Sequence, residues 1–436
     1  MSSLFGALDT AVTGLSAQSA AFSNISDNVA NSTTTGFKRT DTSFIDYLTT
    51  STKVTNDSGS VIARPDYRND VQGTITTSDN PLAMAIQGNG FFQVTQEATN
   101  ASGVSSLSSQ VEYTRDGDFT LDKSGYLVNP SGQALNGWTK NLTTGVLDQN
   151  QVQPIKIDQS SFSPVPTSEV TLAANLPATP SSTTAQASQI NVYDAKGTLH
   201  TVSLSWTQNA SDDWTVAINA PDAATPAVGG AEVKFGNIAS GNAVAAGTIG
   251  SLSNATGTVS STSYSANGAA TLSFTVDFGN GPQSVDLQLG NYGGTSGVTQ
   301  FAGTDYSLRG LTQNGVPPGA FSGVTSDSSG NIVVNYDNGQ SRVVAQVPLI
   351  QFANPNALQR EDGQAFTATT DSGTPLAQSA TTGGAGTLVT GSLEGSNVDI
   401  ATEFTSLIVA QRAYSANAKM VTTADDMLQQ TLDMKR

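Results

Sequence analysis

The sequence predicts a mainly β, multidomain chain in which nested β domains are framed by N- and C-terminal coiled-coil helices that meet at one end. Three observations carry this reading. Both ends repeat apolar residues at the three-and-four spacing of a coiled-coil seam. The long middle alternates short apolar runs with Gly-containing turns, the pattern of hairpins. Charged residues make up only 12% of the 436, well below the ~25% of ordinary soluble domains, so Ser, Thr, Asn and Gly carry most of the polarity.

Residues 1–35 are expected to hold the first helix. Its seam runs Phe5, Leu8, Val12, Leu15, Ser19, Phe22, Ser26 and Val29, apolar at all but two positions. The stretch Asn28-Val-Ala-Asn31-Ser-Thr-Thr-Thr-Gly36-Phe37-Lys38-Arg39 then ends the helix and turns the chain. Residues 36–70 show no sustained period and read as an extended linker, with a short helix over Phe44 to Leu48. An inner β domain begins at 71–160. In it, Pro81 to Val94 sets the turn Gly88-Asn89-Gly90 before the apolar run of Phe91 and Phe92. Val111 to Arg115, Phe119 to Leu121 and Tyr126 to Val128 follow as short strands divided by Asp-Gly and Ser-Gly turns.

Residues 161–311 read as an inserted outer β domain, entered through a Ser-, Thr- and Pro-rich stretch. Hairpins return at Ile190 to Trp206 around Ala195-Lys196-Gly197, at Trp214 to Ile218, and at Thr271 to Leu289 around Asn280-Gly281. Residues 312–390 complete the inner β domain, with a hairpin through Asp337-Asn338-Gly339. A linker and the C-terminal helix occupy 391–436. Its seam is Ile400, Phe404, Leu407, Gln411, Tyr414, Ala418, Val421, Asp425, Leu428 and Leu432. Ser396 with Asp399 three residues on suits a helix start, and Lys435 and Arg436 suit the other end of the dipole. A helix from 396 to 436 would be roughly 60 Å long, more than a compact domain needs. Because both helices are rich in Ala (Ala17, Ala20, Ala21, Ala410, Ala413, Ala416, Ala418), packing between subunits is favoured over a hairpin within one monomer. An isolated helix of this kind does not offset its ordering entropy, so both termini are expected to fold on assembly.

Composition excludes several classes. The net charge of −17 comes from few bases and argues against nucleic acid or an anionic membrane as partner. With no Cys in the chain, disulfides and thiolate chemistry are out. The N-terminal segment lacks a basic region followed by a continuous apolar run, because Asp9 and Thr10 interrupt it, so no general secretory signal is expected there. No apolar run approaches a membrane span.

Catalytic chemistry does not assemble. The single His, His200, lies on an expected strand without a nucleophile context and reads as structural. Asp116-Gly-Asp118-Phe-Thr-Leu-Asp122 resembles a calcium loop only in part, since the Gly at position six and the Glu at position twelve are absent, and its alternation fits a hairpin. Gly88-Asn89-Gly90 is a turn rather than a dinucleotide fingerprint. Trp138, Trp206 and Trp214 fit a core or a sheet surface better than a carbohydrate groove. No enzyme activity, cofactor or metal is expected.

Four stretches then converge on one family. Asn28 to Arg39, Pro81 to Val94, Tyr113 to Val128 and Leu393 to Arg436 together resemble the rod and hook family of bacterial flagellar axial proteins. Val409 to Asn417 is especially similar to the hook members. The family motif falls on Asn28, Asn31, Gly36, Phe37, Lys38, Gly88, Gly90, Phe91, Phe92, Gln411, Arg412 and Asn417. The resemblance implies a structural subunit that self-assembles into a curved helical tube, acts as a universal joint between motor and filament, and encloses the export channel. It further implies type III export without a cleaved signal peptide, location in the hook of the basal body, and contact with itself, distal rod, hook cap, hook-filament junction proteins and the export apparatus. A rod protein would lack so large an insertion, and a junction protein the stretch after Val409. A secreted adhesin or carbohydrate-binding module would leave both terminal seams unexplained.

Overall fold

Residues more than 300 positions apart are joined in this chain by strands of three and four residues. In the computed structural model, Ile75–Thr77 pairs antiparallel with Ser392–Glu394, and Met84–Gln87 with Thr387–Thr390. The structure describes residues 2–51, 56–99, 105–141, 145–180 and 185–433. Among them are three α-helices, α1 (Ser2–Ala30), α2 (Gly236–Ser240) and α3 (Ile400–Asp433). Strands are far more numerous, and the protein is mainly β with helices at both ends.

The chain divides into two units. Unit 1 comprises residues 1–159, 323–335 and 341–436; unit 2 comprises 160–322 and 336–340. Within unit 1, α1 and α3 pack antiparallel: Phe22 meets Tyr414 edge-to-face with ring centroids 6.3 Å apart, while Gly14, a turn or two earlier, sits against Asn417. The small side chain is required there, because a Cβ on Gly14 would lie 2.8 Å from the Asn417 amide. The expected N-cap moves. Asp399 rather than Ser396 caps α3, its Oδ1 accepting the Thr402 N–H at 3.0 Å, and Ser396 instead accepts the Val398 N–H at 3.3 Å. Asp399 wins because its carboxylate also favours the positive end of the helix dipole. Lys435 and Arg436 lie outside the described residues.

The segment expected to be a linker with a short helix is a long hairpin instead. Strand β1 (Thr40–Ser51) pairs antiparallel with β2 (Asn56–Tyr67), placing Phe44 opposite Ala63 and Ile45 opposite Ile62. Four Thr in β1 and the cross-strand apolar pairs favour the pleated form over a single helical turn. The hairpin leans on α1: Thr13 Oγ1 accepts the Val61 N–H at 3.3 Å, and Asn24 Nδ2 donates to Thr42 Oγ1 at 2.9 Å.

The rest of unit 1 is an antiparallel sheet in the order 341–346, 133–139, 92–99, 105–114, 365–367 and 359–361. Its core is aromatic, with Phe92 edge-on to Phe119 at 5.6 Å and Phe91 to Phe366 at 5.8 Å. Trp138 is buried there too.

Unit 2 is built from two five-stranded sheets. One is an antiparallel meander, Gln186–Tyr193, Leu199–Ala210, Asp213–Asn219, Ala227–Phe235 and Ile249–Gly257. The other has the order Ser260–Ser261, Ala269–Asp277, Pro282–Asn291, Glu169–Asn175 and Ser307–Gln313, with one parallel pair between 169–171 and 286–288. Strict alternation turns Trp214, Val216 and Ile218 inward from one sheet and Leu272, Phe274 and Val276 from the other. Trp206 is buried in the same core. Strands 227–235 and 249–257 fall where small residues had hidden any period in the sequence.

Truncating Trp214 to Ala removes the largest inward ring of its strand and should cost about 3–5 kcal/mol. In a urea titration of the full chain read by hydrogen exchange, peptides of residues 169–313 should then open at lower urea, while those of unit 1 keep their midpoint.

Candidate assembly interface

Three of the four stretches that carry the family motif meet at one carboxylate, and the fourth, Pro81 to Val94, joins them through Arg115. Glu394 is fully buried; its Oε1 lies 2.6 Å from Lys38 Nζ and its Oε2 3.0 Å from Arg115 Nη1. The Gly73 N–H also donates to Oε1 at 2.9 Å. Lys38 further donates to the Val71 carbonyl at 2.7 Å, and Arg115 to the Gly88 carbonyl at 2.8 Å while lying over the Phe91 ring at 5.1 Å. The Gly36 N–H donates to the Glu394 carbonyl at 2.8 Å. Asn397 completes the knot, accepting the Arg39 N–H at 2.7 Å and donating to the carbonyls of Arg68 and Val71 at 3.0 Å. Burial drives Lys38 down to about 8 against the pull of Glu394, and lowers Arg115 as well.

Backbone demands explain two motif positions. Gly36 has φ +71°, and a Cβ there would lie 2.5 Å from the Asp116 nitrogen, so only Gly fits. Gly90, at φ +135°, lets the chain enter the strand that begins at Phe92. Phe37 is buried beneath the Arg360 guanidinium at 4.5 Å, and Arg360 donates to the Lys38 carbonyl. Asn28 is buried and bonds both backbone groups of Thr40, at 2.9 and 3.0 Å. Asn31 bonds back to Asp27 at 2.9 Å, an ordinary helix-end contact. Glu394, Asn397 and Arg115 were absent from the residues singled out in the sequence. A signal existed: Glu394 is the only charge between Asp371 and Asp399.

The Asp-rich turn is held by its own hydrogen bonds in the same region. Asp116 Oδ1 accepts the Asp118 N–H at 3.1 Å, Asp118 accepts Asn80 Nδ2 at 2.9 Å, and Asp122 accepts the Ser124 N–H at 3.0 Å. Burial raises Asp116 to about 6. Among the described residues no group of three or more His, Asp or Glu is placed to hold a metal ion, and no helix is long and apolar enough to cross a membrane. In unit 2, His200 stacks on Phe278 at 3.9 Å between Asp194 and Asp222, each 3.5 Å from one ring nitrogen.

The helix seams sit differently from the clamp. The buried side of α1 is Ala11, Gly14, Ala17, Ala21, Ile25 and Asn28, a seam of mostly small residues. The apolar seam expected from the sequence lies about a quarter-turn away: Leu8, Leu15, Phe22 and Val29 are half-buried, and Val12, Ser19 and Ser26 are exposed. On α3 the side toward α1 includes Glu403, Leu407, Ala410, Asn417, Val421, Ala424 and Leu428. Leu407, Val421 and Leu428 belong to the expected seam, and Ala418 is half-buried beside them. Ile400, Phe404, Gln411, Tyr414 and Asp425 are exposed, as are Arg412 and, outside the seam, Ile408, Val409, Met420 and Met427. The side chains of Phe5 and Leu432 lie outside the described residues. Between α1, the start of β1 and α3 runs a groove of about 480 Å³ with Glu403 on its wall and Val409 and Phe44 at its mouth. Glu403 is raised by burial and bonded to the Asn28 side chain.

Comparison with known proteins agrees with the motif stretches. Four family models match in chain order: "Flagella basal body rod protein" over residues 8–38, "Flagellar hook protein FlgE/F/G D1 domain" over 85–199, "Flagellar basal body protein FlaE D2 domain" over 164–316, and "Flagellar basal body rod FlgEFG protein C-terminal" over 389–434. The fold and its terminal motifs are thus those of the flagellar rod and hook class. The flagellar hook protein FlgE of Brucella suis biovar 1 is 30% identical over 439 residues, covering 100% of both chains. That of Salmonella typhimurium is 30% identical over 444 residues, covering 98% of this chain and 99% of its own. Among solved structures, the Helicobacter pylori flagellar hook protein FlgE2 aligns with a TM-score of 0.46 at 14% identity, covering 72% of this chain and 98% of that one. The chain belongs to the flagellar hook protein FlgE family.

Two variants test the clamp. Glu394→Gln strips the shared charge from buried Lys38 and Arg115 and should cost about 3–5 kcal/mol in urea unfolding of unit 1. Asp116→Asn should act through pH. The folded value of Asp116, about 6, is above its unfolded one, so its stabilising share is complete below pH ~4 and is lost as pH rises through 6. Wild type should therefore lose on the order of 2 kcal/mol relative to the variant between pH 4 and 7, read from paired unfolding curves.

Proposed function

We propose that this chain, a flagellar hook structural subunit by its family membership, polymerises through its terminal helices into a curved tube that encloses the export channel and acts as a universal joint carrying motor torque to the filament. The observation that carries this is the inversion of the helices. On α1 small residues face inward, and large apolar side chains on both helices, Val12 and Phe404 among them, remain 46–53% exposed in the protomer. Exposed apolar stripes of this kind mark an interface. The expected seam residues Leu8, Val12, Leu15, Phe22 and Val29, with the exposed Ile400 and Phe404 of α3, then form the contact between copies. Ser19, Ser26, Gln411 and Asp425 set its register.

A joint also needs contacts that exchange at low cost. β surfaces rich in Ser, Thr and Asn favour small wet contacts, which do so. On this reading the subunit leaves the cell through the flagellar type III apparatus without a cleaved signal peptide. Its neighbours are further copies, the distal rod, the hook cap and the hook-filament junction proteins, and it performs no catalysis.

Electron microscopy of the concentrated full chain should show curved tubes. Val12→Ser and Phe404→Ser each remove exposed apolar area and should raise the concentration needed for tubes roughly tenfold, with monomer unfolding unchanged. Limited proteolysis should cut within α1 and α3 in monomer and spare both in tubes. A chain resistant at both sites that never forms tubes would sink the proposal.

A further inference from the structure

The outward side of α3 carries two cations without an ion-pair partner among the described residues, Arg412 and Lys419, spaced seven apart on one face. Helix α1 has none; its charges are Asp9 and Asp27. The groove between α1, β1 and α3 holds the complementary sign. Asp41 at its rim is already shared by Arg39 at 3.3 Å and Arg68 at 2.9 Å. Glu403 on its wall is bonded to the Asn28 amide and feels Arg39 of the same groove only from beyond ion-pair distance, so among the described residues no cation is in contact with it. A carboxylate held out of water without a cation is costly.

Arg412 cannot serve Glu403 of its own chain. Nine residues are two and a half helical turns, which puts the two on opposite sides of α3 and about 13.5 Å apart along the axis. We infer that the groove receives Arg412 of a second copy, whose guanidinium pairs with Glu403. Arginine suits the task, since its long apolar stem can lie along Ala21, Ala410 and Ala413 of the groove while its planar head reaches the carboxylate. Donor and acceptor on opposite sides of one helix cannot close a two-fold dimer. They make a head-to-tail contact that repeats, the geometry of an open helical polymer. The inference rests on the self-assembly reading and names the polar contact within it.

A double-mutant cycle on the full chain tests it, with the critical concentration for polymer as readout. Arg412→Gln and Glu403→Gln should each raise that concentration roughly tenfold, as for a close interfacial charge pair. Glu403→Gln can still accept the Asn28 hydrogen bond. The double variant should be no worse than either single, again roughly tenfold, because only one interaction is lost. Since the two side chains do not meet within a copy, coupling reports contact between copies, and any loss of protomer stability from Glu403→Gln cancels in the cycle. A roughly hundredfold, additive double variant, or an Arg412→Gln chain that polymerises like wild type, overturns the pairing and leaves self-assembly standing. Failure of the wild-type chain to polymerise overturns both.

Discussion

Unit 1 depends on a charge that is buried and therefore cannot be left alone. Glu394 has no exposed surface and holds Lys38 on one oxygen and Arg115 on the other. Such a triad contributes little net stability relative to an apolar equivalent, but any arrangement that separates its members leaves a bare charge in the interior. Its value here is selection among alternatives. Strand 392–394 is three residues long, too short to fix its own register against 75–77 by side-chain packing. A slip by one residue would turn Glu394 to the opposite face and away from both cations. The ion triad makes that slip expensive, so the end of the α1 loop and the start of α3 are set by one side chain.

The helices themselves are built to need company. Because Ala11, Gly14, Ala17 and Ala21 line the inner side of α1, α1 and α3 can approach closely, yet each Ala or Gly contact buries little apolar area. Long helices held by such contacts gain little against the entropy of ordering them. Several larger side chains that would add to that area, Val12, Phe404 and Val409 among them, point elsewhere. A helix pair with its bulk on the outside is marginal as a protomer and favourable as a layer, which is the balance a subunit that orders on assembly requires.

The terminal helices, the hairpins around 195–197 and 280–281, and the inward Trp rings were legible because periodicity and turn chemistry are local. The hairpin of β1 and β2 was not. Its strands carry Thr, Ser and Asp at nearly every other position, and its apolar residues find partners only across the pairing and on α1. The clamp was half legible. The four stretches could be singled out by pattern, but that three of them share one carboxylate is a long-range fact, spanning 356 positions between Lys38 and Glu394. The seam was legible in period and offset in phase. Sequence patterning weights bulk, so it found the stripe of large residues on α1, whereas the protomer buries the neighbouring stripe of small ones.

The sparse charge of the chain gives these observations a common cause. With only 18 Lys and Arg among 436 residues, basic side chains are too few to act as a general solubilising coat, and where they occur they are placed. Lys38 and Arg115 hold Glu394, Arg360 lies over Phe37 and against Asp27, and Arg39 and Arg68 converge on Asp41. Each of these cations ties a loop that enters or leaves a terminal helix. The surfaces of the β strands, apart from a few ion pairs such as Lys234 with Asp213, are mainly Ser, Thr, Asn and Gln, whose hydrogen bonds with water and with one another are similar in strength. Contacts between such surfaces can be traded without stranding a charge. Fixed ionic contacts around the helices and uncharged polar ones on the strands therefore divide the molecule into parts that resist rearrangement and parts that permit it.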